Sequence, residues 1–144
     1  MKRLILAIGF LSIGFFSCTN DSFDNSLKGS WTVFSFEKLK TGTIEFKTQE
    51  NSWDKDIKIK FDDTVNPKTI SGTNITNQIF GEISLSGQNQ FKVSNLGSTE
   101  VNQPRWADEF IVAILYQNLT FKITNDRLVI FYDNKTKSVT LKRD

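Results

Sequence analysis

The chain has 144 residues, with 18 lysines and arginines against 16 aspartates and glutamates, one cysteine and no histidine. One cysteine excludes an internal disulfide. The absence of histidine excludes a conventional catalytic triad and removes the usual zinc and copper ligand. A formal charge of +2 gives no basic face for nucleic acid, so no nucleic-acid partner is expected.

Met1-Lys2-Arg3 places two positive charges ahead of an apolar run from Leu4 to Phe16. A basic start followed by an apolar core of this length reads as a secretory signal. It is short for a membrane span, which needs roughly 20 apolar residues. The run ends in Phe15-Phe16-Ser17-Cys18. That resembles a bacterial lipoprotein cleavage box: bulky apolar residues, a small residue, then the cysteine that becomes the new N-terminus. Phe15 stands where leucine is commonest. The expected organisation is a lipoprotein signal peptide over residues 1–17, lipidation at Cys18, a flexible tether over 18–26 and one folded domain over 27–144. Each buried methylene of an acyl chain contributes about 0.8 kcal/mol, and two or three chains hold a protein durably where one does so marginally. The membrane is therefore the first expected partner, through the lipid anchor. Thr19 is not the aspartate that marks retention at the inner membrane, so an outer-membrane anchor is expected. The acidic tether resembles surface-export signals, which leaves the periplasmic and the surface-facing side both open.

Removing the signal leaves about 127 residues, enough for one domain with a real core. Loss of Lys2 and Arg3 brings the net charge to about zero. Thirteen phenylalanines and three tryptophans supply large apolar area.

Period-two alternation begins after Lys28-Gly29 and predicts strands over residues 31–37, 43–47 and 57–61. The last of these, Ile57-Lys58-Ile59-Lys60-Phe61, puts apolar residues on one face and lysines on the other. Strands over 69–72 and 79–85 flank a polar stretch, 73–77. Ser86-Gly87-Gln88-Asn89 is a hairpin turn leading to a strand over 90–94. Residues 104–116 break the alternation. Proline suits a first helical position, Asn102 or Gln103 would cap it, and Trp106, Phe110, Ala113 and Ile114 recur at spacings of three and four. This is the one substantial helix expected. Strands over 119–124, 127–132 and 138–142 follow, joined by turn residues. The fold expected is mainly β with one helix: a small antiparallel barrel, or a strongly curved sheet, covered by a single α-helix. An open two-layer α+β sheet is the alternative.

Several features then coincide. Leu27-Lys28-Gly29-Ser30-Trp31 opens the domain. Ile70-Ser71-Gly72, Asn77 and Gly81 mark its middle. Ser98-Thr99 precedes the helix, Glu109-Phe110 lies within it, and Leu128-Val129-Ile130-Phe131 and Val139-Thr140-Leu141 end it. In order and spacing this resembles the META domain, the HslJ-like family of small bacterial envelope lipoproteins, over roughly residues 27–143. The resemblance implies a lipocalin-like barrel with one helix, with Gly72, Asn77, Gly81, Thr99 and Glu109 as its structural motif. It also implies links to envelope stress, such as heat-shock induction and altered resistance to hydrophobic antibiotics. It brings no catalytic residue and no cofactor. Relatives commonly carry a cysteine just before the asparagine that Asn77 matches and another after the threonine that Thr99 matches. Here Thr76 fills the first place and no cysteine the second, so no thiol property carries over.

No site for chemistry assembles from the residues. Asp54, Asp56, Asp62 and Asp63 lack the spacing of a calcium loop, so no metal is expected. Glu45, Glu82 and Glu109 are unpaired candidates for acid–base work. Trp31, Phe34, Phe36, Phe61, Phe80, Phe91, Phe110, Phe121 and Phe131 are expected to fill the barrel, or else to line a cavity for a small apolar ligand whose contact residues the sequence does not name. Trp53, in a polar segment, is the expected exposed aromatic. The leading expectation is a non-enzymatic lipid-anchored envelope protein that contributes to envelope integrity or stress resistance through an envelope protein partner. The alternative is a barrel carrier or sensor of a small hydrophobic ligand.

Overall fold

The computed structural model describes residues 26–144. The signal segment, Cys18 and the tether through Asn25 lie outside the described residues. The elements run β1 (Gly29–Lys38), β2 (Thr43–Phe46), α1 (Gln49–Ser52), β3 (Ile57–Asp62), β4 (Lys68–Asn74), β5 (Asn77–Ser86), β6 (Gln90–Ser98), α2 (Arg105–Leu115), β7 (Leu119–Thr124), β8 (Arg127–Tyr132) and β9 (Lys137–Arg143).

Eight antiparallel strands close a barrel. β1 pairs with β3, each strand from β3 to β8 pairs with the next, and β9 returns to β1. The closing seam runs from Trp31 opposite Arg143 to Lys38 opposite Lys137. It rules out the open two-layer sheet, because the wall curls until its first and last strands pair. β2 is an extra strand. It pairs with Ser35–Lys38 of β1, while Gly29–Thr32 of the same strand pairs with β3. Among the described residues the strands pair into a closed wall around one apolar cluster, so the segment 26–144 closes on itself. Ser26, expected as the last tether residue, is already tied to the barrel by a hydrogen bond to Asp63 Oδ2 (2.8 Å).

Alternation sets the inward face. Ile57, Ile59 and Phe61 are buried while Lys58 and Lys60 are exposed. Across the interior Phe61 meets Phe91 edge-on (6.0 Å between centroids) and Phe91 meets Phe121 (5.9 Å), the geometry that the ring quadrupole favours. Helix α2 buries Trp106, Ala107, Phe110, Ala113 and Ile114, and Trp106 stands edge-on to Phe36 at 4.7 Å. The barrel is therefore filled by one continuous apolar cluster.

Three aromatic residues expected inside are not there. A bulge between Val33 and Ser35 adds one residue to β1 and flips its parity. Phe34 keeps the outward phase set by buried Trp31 and Val33, and the extra residue brings Phe36 to the inside; Lys142 Nζ sits 3.8 Å from the Phe34 ring centroid. Phe131 lies on the outward phase of β8 and is half-buried. Phe80 is 60% exposed and lies across Gly97, where a Cβ would come within 2.4 Å of its ring. Trp53 is exposed, following α1 in a left-handed conformation.

The helix ends also differ from expectation. Pro104 takes the N-cap place rather than the first helical position, and no side chain caps α2. Neither Asn102 nor Gln103 does so, because the Gln103 amide is committed elsewhere. α1 is a four-residue turn that the polar composition hid. Thr48 and Asn51 bond each other's backbone in a capping box, a signature usually read from Glu or Gln at the later place.

Candidate functional site

The residues of the motif fall into three places. The first is a clasp of amides at the β4–β5 hairpin, which turns through Ile75 and Thr76 between Asn74 and Asn77. Ile75 has a left-handed φ of 63°, costly for a β-branched residue, and its buried side chain offsets that strain. Asn77 is 3% exposed and uses its whole amide. Its Oδ1 accepts from Val101 N (2.8 Å) and Thr99 Oγ1 (3.1 Å). Its Nδ2 donates to Gln103 Oε1 (2.7 Å) and Val101 O (2.9 Å). Thr99 Oγ1 in turn accepts from Gln78 N (3.0 Å).

Two residues complete the clasp: Asn74, to which sequence reasoning assigned no role, and Gln103, which it offered as a helix cap. Asn74 Nδ2 donates to Ala107 O (3.1 Å) and Gln103 Oε1 (3.2 Å), and Gln103 Nε2 donates to Asp108 Oδ1 (2.7 Å). The hairpin is thereby tied to residues 99–104 and to the first turn of α2. The available signal was an asparagine on each side of a two-residue turn. Asn74 Oδ1 and Trp106 Nε1 are buried without a partner among the described residues.

The second place is the barrel wall. Gly72 sits between Ile59 of β3 and Ile79 of β5. A Cβ there would lie 2.0 Å from the Lys58 carbonyl oxygen, so only glycine lets the strands approach. At Gly81 a Cβ would lie 3.2 Å from Ser94 O and from Leu96 Cδ1, beside the register shift between β5 and β6.

The third place holds Glu109, apart from the clasp. It borders a recess of about 210 Å³ with Phe36, Glu37, Glu45, Arg105 and Tyr132. Tyr132 is buried and its hydroxyl donates to Glu109 Oε1 (3.0 Å). Burial first, then the Glu109 carboxylate, pushes the Tyr132 phenol above its ordinary range. At neutral pH it is a neutral hydrogen-bond donor. Arg105 holds Glu45 through both guanidinium nitrogens, and that contact first, with the Asn51 amide, lowers the Glu45 carboxyl below its usual value. The recess thus carries fixed charges of both signs over an aromatic floor, an arrangement suited to binding. Among the described residues no cluster of three or more acids, histidines or cysteines is placed to hold a metal ion. No helix there is long and apolar enough to cross a membrane.

No curated protein sequence matches the chain. A solved structure of a protein from Burkholderia xenovorans, determined by NMR, is similar with a TM-score of 0.65 and 14% identity, covering 100% of this chain and 99% of that one. The crystal structure of a duf4847 family protein from Bacteroides vulgatus is similar with a TM-score of 0.57 and 16% identity, covering 81% of this chain and 93% of that one. At these identities the likeness speaks for the fold alone. The META domain matches residues 25–144, and the chain belongs to the META domain family.

Proposed function

We propose that the protein is a non-enzymatic, lipid-anchored component of the bacterial envelope, held to the outer membrane through Cys18. In this reading it supports envelope integrity under stress through contacts with another envelope protein. The observation that supports the contact reading is the distribution of apolar side chains. The interior is already packed, while Ile44, Phe46 and Trp53 are exposed on β2 and just after α1. Ile44 and Phe46, two residues apart on β2, border one surface recess, and exposed apolar groups on a filled barrel favour association over transport. A carrier with its ligand inside the barrel would need Phe61, Phe91 and Phe121 to vacate space they fill, which sets that reading second.

The test takes two variants side by side in cells. Cys18→Ser should abolish acyl labelling, because serine cannot form the thioether. Phe46→Ser should leave labelling unchanged and lower melting only by the loss of its edge-on contact with Phe34 (5.5 Å), but remove cross-links to the partner and lower survival of envelope stress; Phe34→Ser, which loses the same contact and keeps Phe46, is the control for stability. Equal acyl labelling of Cys18→Ser and wild type refutes the anchor. Unchanged cross-linking and survival for Phe46→Ser refutes the contact surface.

A further inference from the structure

We propose that the outer wall of the barrel at β7 carries a binding groove for a single-chain anionic amphiphile, a molecule with one apolar tail and a carboxylate head. The wall is irregular there. β6 and β7 share two residue pairs, Gln90 with Thr120 and Phe91 with Leu119, where most neighbouring strands share five or more. One further bond, Phe121 N to Asn89 O (2.9 Å), marks the end of contact. Beyond it β7 runs on past the β5–β6 turn, unpaired on that side.

The recess beside this break has a volume of about 570 Å³, within the range of single-ligand sites. Its apolar surface comes from Leu39 and Phe131, and its charge from Lys122 and Lys135. Both lysines are exposed, and neither forms an ion pair among the described residues. No carboxylate lines the groove. The nearest acid of the adjoining turn, Asp133, is engaged by Thr136 Oγ1 (3.1 Å) and lies 3.9 Å from Lys137. An apolar trough flanked by two uncompensated ammonium groups selects a ligand with an apolar body and a negative head, by charge complementarity. The groove is open on the outside, so binding needs no rearrangement of the packed interior. The inference is independent of the lipid anchor.

The probe is monomeric dodecanoate, titrated into isotope-labelled residues 26–144 below its micellar concentration and followed by NMR. Saturable shifts are expected at Leu39, Thr120, Lys122 and Phe131. Dodecyltrimethylammonium, with the same tail and the opposite charge, should bind at least about tenfold more weakly. The surface double variant Lys122→Gln/Lys135→Gln should melt like wild type and lose about tenfold or more in dodecanoate affinity, the scale of one charge-assisted contact. Equal affinity for the two head groups overturns the proposal. So does full binding by the double variant, a shift pattern centred on Phe61 and Phe91, or the absence of saturable binding. Shifts that arise with vesicles of phosphatidylglycerol but not with the monomer overturn it too, in favour of a membrane-docking face.

Discussion

Replacing Asn77 by alanine separates a structural role from a binding role for the clasp. The substitution removes two donors and two acceptor positions that four bonds of 2.7–3.1 Å now use. The partners do not all suffer equally. Thr99 Oγ1 keeps its bond from Gln78 N, and Gln103 Oε1 keeps that from Asn74. The Val101 N–H and C=O lose their partner, but Val101 is 57% exposed and water reaches them in part. The net cost is therefore about 1–3 kcal/mol, the penalty of one poorly satisfied group rather than the sum of four bonds. For a domain of this size that lowers Tm by about 4–12 °C. Circular dichroism melting gives the shift, and hydrogen exchange at the Val101 amide should accelerate with it. Thr99→Ser, which keeps the hydroxyl, should melt near wild type. If Asn77→Ala melts like wild type and Val101 stays protected, the clasp does not hold the hairpin, and a cellular defect of that variant would make Asn77 a binding residue.

Phe110 is fully buried, so Phe110→Ala should cost about 3–5 kcal/mol, whereas Arg105→Ala breaks an exposed ion pair worth under about 1 kcal/mol; equal melting temperatures would contradict the packing of α2. Gly72→Ala should destabilise strongly by forcing β3 and β4 apart, and an amide spectrum unchanged at Ile59 and Ile79 would contradict the close approach. Tyr132 is held protonated above its ordinary pKa by burial and Glu109, so the folded state binds a proton that the unfolded state releases at about pH 10. Its stability contribution is complete below that pH and is lost as pH rises further, towards the raised folded value. Tyr132→Phe should flatten this alkaline loss, and ordinary near-ultraviolet phenolate titration of Tyr132 in the folded wild type would refute the shift.

Much of the wall was legible because alternation reports a half-buried strand directly. Lys58 and Lys60 between Ile57, Ile59 and Phe61 gave β3, and β7 and β8 have the bounds their turn residues suggested. The helix was legible from Trp106, Phe110, Ala113 and Ile114. What failed was the reading of strand aromatics as core: Phe34, Phe80 and Phe131 each alternate with more buried neighbours and so lie on the outward phase of their strands. The bulge between Val33 and Ser35 leaves no mark in composition, yet it is what puts Phe36 on the inner side with Val33. Nor does anything in the sequence point to Gly97, whose missing side chain leaves room for the Phe80 ring. The clasp was half legible: Asn77 drew notice through the resemblance, while Gln103 resembled a helix cap and is a bridge between hairpin and helix. The groove at β7 depends on how far two strands run side by side, which no local pattern encodes.

The seam between β1 and β9 makes closure a matter of timing. Every other pairing in the barrel wall joins strands much nearer in the chain, so most of the wall can zip up as neighbouring ribbons. The seam is different: Thr32 bonds Asp144 across 112 positions. Bringing such distant segments together costs loop entropy before any contact rewards it. Until β9 arrives, β1 presents a raw edge with unpaired backbone groups, open to any stray strand. In synthesis β1 is made first and waits for nearly the whole domain to follow. The interval between the making of β1 and of β9 is the time during which that edge is open to mispairing.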